Sequence, residues 1–108
     1  MDRYLSDGHR DFQEEVRAFA EEHIRPVARE FDEKARFPWE NVKRMAEKGW
    51  MGIPIPEEYG GMGKDHLTYA LAVEELARVD ASHSITVSAH TTLCTSPILS
   101  FGSEAQKA

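Results

Sequence analysis

Between Trp50 and Gly63 the chain reads Trp-Met-Gly-Ile-Pro-Ile-Pro-Glu-Glu-Tyr-Gly-Gly-Met-Gly. Two prolines and four glycines exclude a regular helix over this stretch. Trp50, Met51, Ile53 and Ile55 nevertheless require burial, so the segment is expected to be an ordered loop pinned by its own apolar side chains. Loops of this length without regular structure are uncommon and often functional. Elsewhere the apolar residues recur mostly at helical spacing. The expected fold is therefore all-α, an up-and-down helical bundle with one long loop in its middle.

Proline, glycine and capping residues set the expected boundaries. Ser6 and Asp7 offer cap side chains to a first helix carrying Phe12, Val16, Phe19 and Ala20 on one face, with Glu14, Glu15, Arg17, Glu21 and Glu22 opposite. Pro26 is expected to end that helix near Ile24 and to open a second, in which Val27 and Phe31 extend the stripe. Phe37-Pro38 breaks the second helix. Trp39, Val42, Met45 and Ala46 mark a third, closed by Gly49 as a left-handed cap. Asp65 caps a fourth, running through Arg78, whose apolar set (Leu67, Ala70, Leu71, Val73, Leu76, Ala77) spans over half its circumference and predicts a central position.

From His83 to Phe101 the pattern is mixed. Ile85-Thr86-Val87-Ser88 alternates like a strand, yet Ile85, Ala89 and Leu93 fall at i, i+4 and i+8, and the length favours a helix that Pro97 kinks or ends. Asp80-Ala81-Ser82 is a short link with two possible caps. Ser103-Glu104-Ala105-Gln106 fits a capping box that announces a further helix. The sequence ends at Ala108, so residues 1–108 are read as one domain of a larger protein, cut at the start of that helix.

The totals restrict function. A length of 108 residues with 41% hydrophobic and 30% charged residues suits one soluble domain with a modest core. A formal net charge of −6 and the lack of a Lys/Arg cluster argue against nucleic-acid binding and against docking on anionic lipid. No apolar run approaches the ~20 residues of a membrane span. The amino terminus resembles neither a signal nor a transit peptide, and a single cysteine, Cys94, cannot form an internal disulfide. The chain is expected to be a reduced, cytoplasmic protein.

Few residues invite chemistry. His83 and His90 are separated by about 10 Å of helical rise, too far to share a metal ion, and surface or capping roles are expected for the histidines. Gly60-Gly61-Met62-Gly63 lacks the strand and spacing of a phosphate-binding loop and is expected to be a turn with positive φ angles. Cys94 lies among apolar residues and is read as a small core residue. Within Glu74-Glu75 at least one carboxylate should face inward. A general base is one reading; an acceptor for loop N–H groups or an arginine is preferred. The Ser/Thr-rich face of the last long helix (Thr86, Ser88, Thr91, Thr92, Thr95) suits a polar groove or close packing against another domain.

Taken together, several segments resemble the amino-terminal helical domain of the acyl-CoA dehydrogenases, of short- or medium-chain-like bacterial type. Pro26-Val27-Ala28, Phe31-Asp32 and Phe37-Pro38 resemble the family's early helices, the stretch from Gly52 to Gly63 its loop, and Glu74-Glu75-Leu76-Ala77 its central helix. Ser88-Ala89-His90, Leu93 and Pro97-Ile98 resemble the next helix, and Phe101 to Lys107 the boundary after it. The resemblance spans essentially the whole chain, and it favours helix at Ile85.

The resemblance implies a flavoenzyme several times longer. In it, a carboxylate base removes the α-proton of an acyl-CoA thioester while a β-hydride passes to FAD, and an electron-transfer flavoprotein takes the electrons. The base and the main flavin-binding segments belong to later domains, so no catalytic or cofactor-binding residue is expected in this chain, the isolated piece is expected to be inactive and to bind no FAD, and the complete protein is expected to be a homotetramer. What the domain supplies is part of the acyl-chain wall, from Ile85, Ala89 and Leu93; Ala89, being small, leaves the pocket deep. Ordinary core packing is the competing reading of these three residues. Alternatives for the chain are a stand-alone helical interaction module, or the same domain in a flavoprotein oxidase.

Overall fold

Apolar stripes at helical spacing bury themselves by pairing helices, and the order of those pairs fixes this fold. A computed structural model describes residues 5–107. The helices are α1 (Asp7–Phe19), α2 (Arg25–Lys34), α3 (Trp39–Glu47), α4 (His66–Val79), α5 (Ala81–Ala89), α6 (Ser96–Phe101) and α7 (Glu104–Lys107). Among the described residues there is no strand. Helix α4 is central, packed on α1 along one side and on α5 along the other. Its buried face is Thr68, Leu71, Ala72, Glu75 and Leu76, while Ala70 and Ala77 lie exposed, so the inward stripe is narrower than its apolar residues alone suggested.

The core gathers Phe12, Val16, Phe19, Ala20 and Ile24 from the first rod, Met45 from α3, Ala72 and Leu76 from α4 and Val87 from α5. Trp50, almost fully buried, meets Phe12 and Phe19 edge-on, with ring centroids 6.2 and 4.9 Å away. Edge-to-face aromatic contacts of this kind add to simple area burial.

Pro26 stands in the opening turn of α2 as expected, but the helix before it does not end near Ile24, and Pro97 likewise stands in the opening turn of α6 without ending the helix before it. The turn Ala20–Ile24 is π-helical, and the Arg25 N–H bonds to Ala20 O, five residues back. A second π-helical turn, His90–Thr95, ends the same way, with Ser96 N–H on Thr91 O. Each proline, Pro26 and Pro97, follows directly after the residue that closes the wide turn. The wide turn shifts the hydrogen-bond register by one residue, so the ring enters the first turn of the resumed α-helix, where no N–H is needed. The chain from Asp7 to Lys34 is thus one rod, and so is that from Ala81 to Phe101.

Other boundaries follow the sequence closely. Ser6 caps α1 in a reciprocal box with His9, and Asp65 caps α4 by accepting from Thr68 N at 2.8 Å. Gly49 has φ +84°, the left-handed conformation that ends a helix. Ser103 and Gln106 exchange backbone-to-side-chain bonds at the start of α7. Helix α3 differs: it buries Asn41 and Met45, while Trp39, expected on the apolar face, is 65% exposed and leans against Phe37 at 4.6 Å. Trp39 opens the helix and projects from its first turn, beyond the reach of α4.

The 50–63 segment is ordered as expected. It contains two short 3₁₀ turns, Trp50–Gly52 and Glu57–Tyr59, and buries Trp50, Ile53 and Ile55. It folds back on itself through Met62 N–H to Gly52 O, Gly63 N–H to Ile55 O and Lys64 N–H to Ile53 O. The fold-back demands glycine at 61, where a Cβ would lie 2.1 Å from Ile55 O.

Candidate functional site

Helix α5, the second π-turn and α6 present opposite faces to the core and to solvent. The inward face holds His83, Ser84, Val87 and Thr91. The outward face carries Ile85, Ala89, Leu93, Pro97 and Phe101 at four-residue intervals. Ile85 is 64% exposed, Leu93 78% and Phe101 89%, with Ala89 half-buried between the first two. These three sequence candidates, Ile85, Ala89 and Leu93, therefore share one solvent-facing stripe, and ordinary core packing does not describe them. Beyond Pro97 the stripe runs into an open hollow of about 510 Å³ bounded by Pro97, Ile98, Phe101, Gly102 and Gln106. A continuous apolar stripe of this kind on a small domain marks a surface that something apolar covers.

Polar side chains on the rod are mostly turned back onto its backbone. Thr86 donates to Ser82 O at 2.9 Å, Thr92 to Ser88 O at 2.7 Å and Thr95 to His90 O at 3.1 Å. These contacts satisfy the hydroxyls within the helix itself. The exception is Thr91, whose Oγ1 is buried on the core side with no hydrogen-bond partner among the described residues. The rod is held to the loop by the His90 ring, whose Nδ1 lies 3.1 Å from Met51 O, and to α4 by Ser84 Oγ, which donates to Val73 O at 2.8 Å.

Cys94 is exposed, not part of the core. At regular α-helical spacing it would follow Val87 by seven residues and share its inward face. The π-turn between them adds less rotation per residue and carries Cys94 out to the surface.

The inward carboxylate is Glu75, only 2% exposed, and its partners are those the structural reading required. Arg17 holds it with two hydrogen bonds of 3.0 and 2.9 Å, Gln13 donates at 3.0 Å, and Arg78 lies 3.4 Å away. The Arg17 hydrogen bonds keep its pKa below the ordinary glutamate value, against the opposing effect of burial. A carboxylate held ionised by two guanidinium groups is a poor proton acceptor. Glu74, its neighbour, is exposed.

Sequence reasoning missed two polar clusters. His83 is wholly buried, contrary to the expected surface or capping role. Arg44 donates to Asn41 Oδ1 and Asn41 Nδ2 donates to His23 O, each at 3.0 Å, which fixes the amide. The His83 Nε2, 3.3 Å from Asn41 Nδ2, is then the acceptor, and Nδ1–H donates to Asp80. Asp80 precedes α5 but spends its carboxylate on this ring instead of the helix N–H groups. An Asp three residues before a His is the signal in the sequence, and the same Asp suits a helix cap.

The second cluster joins the caps of α1 and α4. His9 Nε2 lies 2.8 Å from Asp65 Oδ2, and Ser6 Oγ lies 3.0 Å from His9 Nδ1. The order Ser-His-Asp is that of a hydrolytic triad, but His9 Nδ1 already accepts the Ser6 backbone N–H at 3.0 Å, and Ser6 Oγ accepts the His9 backbone N–H. No free base faces the hydroxyl, so the cluster is a double cap rather than a nucleophile. Bonds from the Thr68 hydroxyl and backbone, then from His9, lower the Asp65 pKa to about 2. Among the described residues no group of three or more His, Cys, Asp or Glu side chains is placed to hold a metal ion, and no helix is long and apolar enough to cross a membrane.

A long central helix, a self-bonded Pro/Gly loop and an outward apolar stripe are thus arranged on one all-helical domain. Residues 6–108 match the family model described as the acyl-CoA dehydrogenase, N-terminal domain. The chain belongs to the acyl-CoA dehydrogenase family. It is 53% identical over 92 residues to the short-chain specific acyl-CoA dehydrogenase of Clostridium acetobutylicum, covering 85% of this chain and 24% of that protein. It is 40% identical over 103 residues to the mitochondrial short-chain specific enzyme of Bos taurus, covering 95% of this chain and 25% of that one. Among solved structures, butyryl-CoA dehydrogenase from Megasphaera elsdenii superposes with a TM-score of 0.89 at 42% identity, over 95% of this chain and 28% of that one. The chain therefore spans about a quarter of the length of these relatives, and within the family it corresponds to the amino-terminal helical domain.

Proposed function

We propose that this chain serves as the amino-terminal domain of a full-length, FAD-dependent acyl-CoA dehydrogenase, in which Ile85, Ala89 and Leu93 form part of the wall around the acyl chain. The observation that carries this reading is the uncovered apolar stripe on the α5–α6 rod. Its residues offer van der Waals contact and no cationic group, which fits the hydrocarbon end of a thioester and not the pyrophosphate of a flavin. Ile85 and Leu93 bracket the small Ala89, so the wall is deepest at its centre. When bound, FAD supplies the acceptor for the hydride; the base and the flavin contacts are assigned to the remainder of the protein, and the isolated domain is proposed to be inactive. Relatives named as short-chain specific and as butyryl-CoA dehydrogenase support a short acyl thioester as substrate. An electron-transfer flavoprotein as electron acceptor, a homotetrameric assembly and a cytoplasmic setting complete the proposal.

The test is Ala89→Phe in the complete enzyme. The added ring should shorten the pocket, lowering kcat/KM for longer acyl-CoA substrates about tenfold or more relative to shorter ones. An unchanged chain-length profile would remove Ala89 from the pocket.

A further inference from the structure

We infer that the π-helical turn His90–Thr95 is a specificity-determining device, because it selects which side chains of the rod form the wall proposed above. A regular α-helix advances about 100° per residue, which would leave Leu93 about 80° around the axis from Ile85. The same regular helix would turn Cys94 inward, beneath Val87. The exposures contradict that register: Ile85, Leu93 and Phe101 all stand out in solvent, and Cys94 is exposed with them. The wide turn absorbs one extra residue and rotates less per residue, so Leu93 returns to the line of Ile85 and Ala89, and Pro97 continues it.

Side chains outside the stripe hold the turn in place. The His90 ring meets Met51 O of the Pro/Gly loop at its start, and Thr95 Oγ1 donates to His90 O across it at its end. Pro97, with no N–H to donate to the Leu93 carbonyl of the preceding turn, adds nothing to an α-pitched turn there. These residues touch no substrate in this account; they are positioning residues for Leu93. The same construction at Ala20–Ile24 precedes Pro26, but there it turns Ile24 into the core rather than presenting a surface.

The inference rests on the pocket reading, and the experiment separates the two. In the complete enzyme, kcat/KM is measured over a series of straight-chain acyl-CoA thioesters for Leu93→Ala, Cys94→Leu and a variant that lacks Thr92 and carries Pro97→Ala, with Pro97→Ala alone as its reference. Removing one residue returns the turn to α pitch while restoring the register downstream, and removing the proline lets a plain helix form. Leu93→Ala should shift the preference towards longer chains by about tenfold, and Cys94→Leu should leave it unchanged. The Thr92 deletion places Leu93 seven residues after Ile85, about 20° from its line at α pitch, so it should leave the profile close to that of its reference. If Leu93→Ala shifts the profile and the deletion shifts it as far, the extra residue of the turn is not what holds Leu93 on the line, and this inference fails alone. A larger effect from Cys94→Leu than from Leu93→Ala also overturns it, independently of whether the deletion variant folds. If both Leu93→Ala and Ala89→Phe are silent, the pocket reading itself fails.

Discussion

At Glu75 the carboxylate is more deeply buried than either arginine that serves it, since Arg17 and Arg78 keep about half their side-chain surface in water. Removing an arginine therefore strands a buried charge, whereas removing the carboxylate leaves two guanidinium groups that can hydrate. Arg17→Met is expected to destabilise the domain more than Glu75→Gln does; thermal or urea unfolding of both variants checks the order. An inward carboxylate accepting from loop N–H groups or an arginine is legible in the sequence; that the donor is Arg17 is not, because Arg17 is 58 residues away. Asp65 gives a pH test. Its folded pKa of about 2 lies below the ordinary value of 3.8, so its contribution to stability is present above pH 4 and is lost as pH falls through about 2. The difference in Tm between the parent and Asp65→Asn should narrow over that window; a constant difference would contradict the hydrogen bonds from Thr68 and His9 that hold the carboxylate ionised.

The elements were legible where local chemistry decides them and obscured where a neighbouring turn does. Caps at Ser6, Gly49, Asp65 and Ser103 formed as read, because each depends on residues within three or four positions. That the helices run on through Pro26 and Pro97 is not legible, because a π-turn has no short sequence signature, and the same turn carries Cys94, expected in the core, to the surface. The outward stripe was recognised as one face from its spacing, although that spacing holds only because the π-turn corrects the drift of an α-helix. In the loop, the close approach at Gly61 is backbone to backbone and cannot be relieved by a side-chain shift. Gly61→Ala is expected to cost several kcal/mol, well above the ~1 kcal/mol of a simple conformational-entropy change. Hydrogen exchange should show faster exchange at Met62, Gly63 and Lys64 N–H, whose bonds close the loop.

At the scale of the whole molecule, α4 divides the labour. One side of it is joined to α1 by the core and the Glu75 cluster, and the other supports the α5–α6 rod through Ser84 and the packing around Val87. The rod is thereby supported from behind, and its apolar face is left open. The family's amino-terminal domain accounts for this architecture, and the chain spans about a quarter of the relatives' length. The most direct measurement is a structure of the complete enzyme with an acyl-CoA bound. The account predicts carbon atoms of the acyl chain within about 4.5 Å of Ile85, Ala89 and Leu93. An acyl chain lying elsewhere, with the stripe covered only by other protein, would contradict it.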